Sequence, residues 1–201
     1  MSSRGLGALA LAAAIFFAGP AVASADTAVG MRPYEGIRPE TWLRDVEQAL
    51  APAFGDLERR AAGNRSGQLA IVLDVEGTAL ATDFAIDPDN PPATAPVLKY
   101  ASKAAGMGVR VFFVTNATTV PGSQGADAKR QLLAAGFPIY SVYSRPSADP
   151  RSKKDVKAAL RTEIEKAGFT IVANVGNAWA DLDGGHAEKV YKLPDYDGLL
   201  R

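Results

Sequence analysis

Short apolar runs alternate with helical segments along most of this chain, and that alternation constrains the fold more than any other feature. The apolar runs predict strands at 69–73, 109–114, 138–142, 169–175 and 189–193. Helical spacing predicts helices at 94–105, 125–135 and 152–167. The runs are apolar throughout, which is typical of parallel strands covered on both faces. The sequence therefore predicts an α/β fold with a mostly parallel sheet.

The first 25 residues have the pattern of a leader. Arg4 precedes an uncharged run at 6–18, which is too short to span a bilayer comfortably, and small residues follow in cleavage-site spacing. This pattern is typical of a secretory signal peptide, so we expect a periplasmic or secreted protein. An uncleaved membrane anchor is the alternative. Cleavage after Ala25 would leave an extended arm at 26–40 and one folded domain at 41–201.

The composition excludes several functional classes. Without the leader the chain has 21 basic and 22 acidic residues, so it has no strong positive field to attract nucleic acid. The absence of cysteine excludes disulfides, a thiolate nucleophile and a lipid-modified cysteine. His186 is the single histidine, which argues against a histidine-rich metal site or a histidine-based triad.

The start of the domain is predicted to be helical. Thr41 is placed to cap a helix whose apolar residues recur at helical spacing as far as Leu50. Pro52 is expected to end or kink this helix, so that a second short helix follows at 54–62.

Two carboxylates follow the first apolar run, where the predicted strand ends. Asp74 can attack phosphorus and form an aspartyl phosphate. Glu76, on the same side of the chain, can protonate the leaving oxygen and later activate water. Gly77 allows a sharp turn that Thr78 can hydrogen-bond. A strand that simply ends in a polar turn is the alternative.

Two further segments could bind a phosphate group. Thr115 offers a hydroxyl at a strand end, and the backbone N–H groups from Asn116 onward can hold phosphate oxygens. The helix at 152–167 offers a fixed cation from one of its lysines, which are Lys153, Lys154 and Lys157. Taken singly, these are also compatible with a turn residue and a solvated helix face.

The loop at 176–184 could complete a magnesium site with Asp74. It carries Asn177, Asp181 and Asp183, and Mg²⁺ prefers oxygen ligands and uses few carboxylates. The first strand and the strand before this loop should end at the same edge of the sheet, where ligands bind in parallel α/β folds. An acidic surface loop is the alternative.

These residues, in this order, resemble the haloacid-dehalogenase-like phosphohydrolases, and most closely the class B-like (subfamily IIIB) acid phosphatases, as an exported bacterial member. The segments that carry the resemblance are 74–80, 157–161 with 168–169 downstream, 174–182 and 191–195. The spacing within the second segment singles out Lys157 over the two other lysines of its helix.

The resemblance implies a Rossmann-like three-layer sandwich with a minimal cap and an N-terminal helical extension. It implies an aspartyl-phosphate intermediate on Asp74, with Glu76 as the general acid/base. The phosphate would be held by Thr115, Asn116 and Lys157. The expected activity is that of an acid phosphatase on a small phosphorylated metabolite, nucleotides included.

The resemblance also implies Mg²⁺ as the cofactor. The ligands would be Asp74, the backbone carbonyl of Glu76, and the fourth segment through Asn177 and Asp181.

Three positions depart from the family pattern. Glu76 stands where most members have aspartate, and Asn177 stands where they have a metal-binding aspartate. No arginine follows Thr115 and Asn116. These departures keep open an alternative function, a catalytically weakened binding protein that resembles an acid phosphatase. A receiver domain also uses aspartate, threonine and lysine, but its phosphorylated aspartate follows a later strand.

Three weaker features complete the predictions. The segment at 81–92 is either a small flap over the site or a plain surface loop. His186 could aid the leaving group, although a lone loop histidine is usually structural. Trp179 is expected to pack in the core or against its loop.

Overall fold

The computed structural model describes residues 28–63, 67–118 and 124–200. The predicted leader at 1–25 lies outside these residues. The strands are β1 (Gln68–Asp74), β2 (Arg110–Thr118), β3 (Ser141–Arg145), β4 (Phe169–Gly176) and β5 (Val190–Lys192). They form a sheet in the order β3-β2-β1-β4-β5 with every neighbouring pair parallel. The predicted α/β fold with a parallel sheet is confirmed.

Five α-helices accompany the sheet in the described residues: α1 (Pro39–Ala62), α2 (Ala95–Gly106), α3 (Gln124–Ala134), α4 (Lys153–Lys166) and α5 (Trp179–Leu182). The four-residue α5 was not predicted from the sequence, nor was a short 3₁₀ turn at Thr82–Phe84. Within the described ranges, no helix has both the length and the hydropathy that a membrane span requires.

Helices cover both faces of the sheet. Alternate residues of β1, such as Leu69 and Ile71, join the larger core, which includes residues of α1, α2 and α3. The residues between them, such as Val72, join a second core with Ile164 of α4. Because β1 has no solvent face, its sequence is apolar at consecutive positions rather than at every second one.

The prediction that Pro52 ends the first helix and that a second helix follows at 54–62 was wrong, while a kink at Pro52 stays a prediction. The helix α1 runs through Pro52 without a break. Pro52 is exposed, while the apolar face on either side stays buried, from Leu50 to Leu57. Burial of this face offsets the roughly 3 kcal/mol that an internal proline costs. The helix also starts before Thr41, because Pro39 occupies the first turn, where its missing N–H has no cost.

Two strands, β2 and β3, depart from their predicted bounds by three residues or more. The third strand begins at Ser141 rather than at residue 138, because residues 138–140 still form the connection from α3. All five residues of β3 are half-buried, so this edge strand lacks a continuous apolar signal. The second strand continues to Thr118, which places Thr115 inside β2 rather than past its end.

The long helix α1 also holds the C-terminal segments of the domain. The Tyr191 hydroxyl donates to Asp56 at 2.7 Å, and the Tyr196 hydroxyl donates to Asp45 at 2.7 Å. These hydrogen bonds attach the three-residue edge strand β5 and the turn after it to the first helix of the domain.

Candidate active site

Asp74, Lys157 and Asp181 meet in the interior at the carboxyl end of the sheet. Asp74 is the last residue of β1, Lys157 lies in the second turn of α4, and Asp181 lies in α5. All three side chains are buried. The Lys157 ammonium donates to Oδ1 of Asp74 and, at 2.5 Å, to Oδ1 of Asp181. The lysine that the sequence spacing selected is therefore the one that contacts the predicted nucleophile.

The two other lysines of the helix start do not share this position. Lys153 and Lys154 are exposed in the first turn of α4, which Ser152 caps by accepting from the N–H of Asp155 at 3.2 Å. Lys157 lies one turn further along the helix, where its side chain is buried.

Asp181 is held in place from several sides. Its Oδ2 accepts from the backbone N–H of Ala178 at 2.8 Å. Its backbone carbonyl accepts from Asn174 at 2.9 Å and from the buried Arg161 at 2.6 Å. A Cβ on Gly176 would lie 2.5 Å from the Cβ of Asp181, so this close approach requires glycine. Arg161 and Asn174 belong to the segments that carry the family resemblance, but the sequence did not indicate their role.

The site contains more negative than positive charge. Burial raises the pKa of Asp74, the Lys157 ammonium lowers it, and the Asp181 and Glu76 carboxylates raise it again, so that it lies at about 7. Burial lowers the pKa of Lys157, but Asp74 and Asp181 outweigh burial and raise it. Both pKa values lie above their usual range because the Lys157 ammonium is held between two carboxylates, while Asp74 has two further carboxylates nearby and only one cation.

Glu76 is oriented by Thr115. The Thr115 hydroxyl lies 2.9 Å from both carboxylate oxygens of Glu76, and it accepts from the N–H of Ala117 at 3.0 Å. The predicted acid/base residue and the predicted phosphate-binding hydroxyl are thus neighbours across β1 and β2. In this arrangement the Thr115 proton is directed at Glu76.

A tight turn places Glu76 beside the end of β1. The Ala79 N–H donates to the Asp74 carbonyl at 3.2 Å, and the Gly77 N–H donates to the Thr82 hydroxyl at 3.1 Å. Gly77 has φ of 68°, a left-handed conformation that favours glycine. The turn that the sequence predicted at Gly77 is therefore present.

Asn177 is buried next to the turn, directly after β4. Its Oδ1 accepts from the Thr78 hydroxyl at 3.4 Å, and its buried Nδ2 has no hydrogen-bond partner in the described residues. The unused Nδ2 is a donor and suits a hydrogen-bond acceptor, while Oδ1 keeps a second lone pair that a metal ion can use.

The residues present offer only a few oxygen ligands to a magnesium ion. The described residues contain no group of three or more histidine or acidic side chains that could hold a metal. Both oxygens of Asp181 are engaged by Lys157 and the Ala178 N–H. Asp74, the Asn177 amide oxygen and the Glu76 carbonyl remain as candidate ligands. This set suffices for Mg²⁺ where waters and a substrate phosphate complete the coordination.

Asn116 contacts an arginine that the sequence did not point to. The Nε of Arg145, at the end of β3, donates to Oδ1 of Asn116 at 2.9 Å. The family pattern places an arginine directly after Thr115 and Asn116, and here an arginine arrives from the neighbouring strand. Only the pairing of β2 with β3 brings the two residues together.

Three other candidates lie apart from this cluster. Asp183 is exposed. The His186 ring contacts Glu165 at 2.6 Å and Thr162 at 3.2 Å, both on α4, and the leaving-group role stays a prediction. Trp179 is 61% exposed, so it does not pack in the core, and its packing against the loop stays a prediction.

The segment at 81–92 is attached to α3. Arg130 donates to the Asn90 side chain at 3.0 Å and to the Asp89 carbonyl at 2.9 Å, and Gln131 reaches the same carbonyl at 3.2 Å. We refer to residues 86–90 as the flap. The sequence left open a flap or a surface loop. The structure shows an exposed segment whose last residues are hydrogen-bonded to α3.

Residues 83–199, more than half of the chain, match the profile of the acid phosphatases of subfamily IIIB in the HAD superfamily. The chain belongs to this family. The matched region includes Thr115, Lys157 and Asn177 but begins after Asp74 and Glu76, so the assignment of the two carboxylates depends on the geometry described above.

Two plant glycoproteins are similar to part of this chain. The Stem 28 kDa and Stem 31 kDa glycoproteins of Glycine max are each 28% identical over 115 residues, which is 55% of this chain. The aligned region covers 44% and 38% of those proteins, so the chain spans less than half of their length.

Solved structures show the same fold. The class C acid phosphatase from Bacillus anthracis is 18% identical with a TM-score of 0.59, covering 77% of this chain and 78% of that one. A chain of the Pnkp1/Rnl/Hen1 complex is 16% identical with a TM-score of 0.56, covering 65% and 47%. At these identities the likeness concerns the fold alone.

Proposed function

We propose that this protein is a magnesium-dependent phosphomonoesterase that hydrolyses small phosphorylated metabolites through an aspartyl phosphate on Asp74. One observation carries the proposal. Asp74 is buried at the end of the central strand, in contact with the Lys157 ammonium, and Glu76 lies two residues further on. Nucleophile, cation and acid/base residue are therefore grouped where parallel α/β sheets bind ligands.

The proposed reaction has two steps. In the first, a carboxylate oxygen of Asp74 attacks phosphorus, the bond to the ester oxygen breaks, and Glu76 gives that oxygen a proton. In the second, Glu76 takes a proton from water, whose oxygen attacks phosphorus and releases the Asp74 carboxylate. The products are the free alcohol and orthophosphate. Lys157 opposes the negative charge on the phosphoryl oxygens in both steps.

Thr115 supports the acid/base residue in this scheme. Its hydroxyl reaches both oxygens of Glu76, which fixes the carboxyl group near the turn. Glutamate is one methylene longer than the aspartate usual at this position. The contact with Thr115 compensates for that length by holding the longer side chain in one place.

Mg²⁺ would be held by Asp74, the Glu76 carbonyl and the Asn177 amide oxygen. When bound, it supplies positive charge that orients the phosphate and reduces repulsion between phosphate and the site carboxylates.

The first test is direct. The purified protein is expected to hydrolyse 4-nitrophenyl phosphate when Mg²⁺ is added and to lose that activity in excess EDTA, because Asp74 is the only carboxylate among the candidate ligands. Release of nitrophenolate against Mg²⁺ concentration gives the measurement. Absence of hydrolysis over the whole Mg²⁺ and pH range would refute the proposed activity.

The alternative is a non-catalytic relative that binds a phosphorylated ligand. Asn177 and the missing arginine after Asn116 favour it, since each removes a charge from the family's site. Replacing Asn177 with aspartate tests this alternative.

Asn177→Asp is expected to tighten Mg²⁺ binding by about tenfold, because a carboxylate replaces an amide at the metal. Calorimetric titration with Mg²⁺ gives the measurement, and Asn90→Asp in the flap controls for added charge elsewhere. An inert wild type with an active Asn177→Asp variant would favour the binding protein. Strong turnover by the wild type would exclude it.

A further inference from the structure

Arg145 is fixed at the edge of the site by three hydrogen bonds. Its Nε donates to the Asn116 side chain at 2.9 Å. Its Nη1 donates to the backbone carbonyls of Asp149 at 2.7 Å and Arg151 at 3.0 Å. The guanidinium is thus oriented by β2 on one side and by the loop before α4 on the other.

This guanidinium keeps its charge and part of its donor capacity. A guanidinium has five N–H donors, and in the described residues Nη2 of Arg145 has no partner. The acidic side chain nearest in the loop, Asp149, bonds Arg151 instead, at 2.6 Å. Asp149 lies close enough for Arg145 to help lower its pKa, but no carboxylate of the described residues forms an ion pair with Arg145, whose guanidinium is already oriented.

Its position relative to Asp74 suggests what it binds. In the sheet, β2 lies between β1 and β3, and neighbouring strands are about 4.8 Å apart. The reacting phosphoryl group belongs beside Asp74 and Lys157, about two strand spacings away. A cation at the distance of β3 fits a second anionic group on the same substrate.

We propose that Arg145 is a specificity-determining residue that binds a second anionic group of the substrate, so that the site favours phosphomonoesters whose leaving group carries a carboxylate or another phosphate. The inference rests on the proposed function for the position of the phosphoryl group. Arg145 replaces, from the adjacent strand, the arginine that the family pattern has after Asn116.

Two ligands that cannot be hydrolysed provide the test. Phenylphosphonate carries one anionic group, and 4-phosphonobenzoate adds a carboxylate at the far end of the ring. Calorimetric titration with Mg²⁺ present gives the ratio of their dissociation constants. The wild type is expected to favour 4-phosphonobenzoate by about tenfold, the effect of one charge-assisted hydrogen bond.

Variants assign the preference to one side chain. Arg145→Met is expected to reduce the ratio to about one. Arg145→Lys is expected to keep part of the preference, because lysine retains the charge but not the paired N–H donors of a guanidinium. Arg151→Met is the matched control from the same loop and is expected to keep the wild-type ratio, since Asp149 already neutralises Arg151.

Several outcomes would overturn the proposal. They are a wild-type ratio near one, an unchanged ratio in Arg145→Met, the same loss in Arg151→Met, and no binding of either phosphonate. If a thermal unfolding scan shows that Arg145→Met does not fold, the binding ratios of Arg145→Lys and Arg151→Met test the proposal instead. Because the measurement is of binding, a protein that fails to hydrolyse phosphate esters would refute the proposed activity and leave this result readable.

Discussion

Asp74→Asn is expected to lower the hydrolysis of 4-nitrophenyl phosphate by about a thousandfold or more. The amide cannot form the aspartyl phosphate, and loss of a covalent nucleophile removes most of the catalysis. The measurement is kcat at saturating Mg²⁺. Asp89→Asn, an exposed flap carboxylate, is the control and is expected to retain wild-type activity. Activity within tenfold of wild type in Asp74→Asn would contradict the proposed mechanism.

The same variant is expected to be more stable than the wild type, by about 1–3 kcal/mol at pH 7.5 in EDTA. Folding raises the pKa of Asp74 from 3.8 to about 7, chiefly through burial. The folded state thus favours the neutral carboxyl, and the wild type loses stability as the pH rises from about 4 to about 7. Asparagine does not titrate, so the advantage of the variant grows over that interval and then levels off.

Thermal unfolding of the two proteins between pH 4 and pH 8 measures this difference. A lower stability of Asp74→Asn at pH 7.5 would mean that the Asp74–Lys157 ion pair outweighs the burial of the carboxylate. A gain in stability together with a loss of activity would identify Asp74 as a residue kept for function.

The second large effect is expected from Lys157→Met, which should destabilise the fold by about 3–5 kcal/mol. The substitution leaves Asp74 and Asp181 buried without their shared cation. Lys153→Met, in the exposed first turn of the same helix, is the control and should change stability by less than about 0.5 kcal/mol. Equal stability of the two variants would contradict the buried ion pair.

The double variant Lys157→Met/Asp74→Asn isolates the interaction. The double variant buries one carboxylate fewer than Lys157→Met alone. Its loss of stability should therefore be smaller than the sum of the two single losses by about 1–3 kcal/mol. Urea denaturation of the four proteins gives the coupling energy. Additive changes would mean that Lys157 acts through Asp181 rather than through Asp74.

The candidate site residues could be predicted because each lies at a fixed place on a strand or helix. Asp74 ends an apolar run, and the choice of Lys157 among three lysines followed from the family's spacing. Both depend on local sequence, and the structure brings them into contact. The central strands were predictable because strands with two buried faces are apolar at consecutive positions.

Other features depend on contacts between distant segments, which no local pattern contains. The approach of Arg145 to Asn116 requires the register of β3 against β2, and β3 was itself misplaced because an edge strand has a weak apolar signal. The continuity of α1 through Pro52 depends on a face buried by the rest of the domain. In each case tertiary packing decides over local propensity.

The order of the strands has a consequence for how this chain folds. The central strand β1 pairs with β4 about a hundred residues downstream, and Tyr191 and Tyr196 bond to α1 across 135 and 151 residues. Such distant pairings slow folding, because the chain loses the entropy of closing a long loop before the contacts that stabilise the closed loop can form. During synthesis one edge of β1 stays unpaired until β4 has been made, in the last quarter of the chain. The incomplete protein is therefore the form most prone to aggregation.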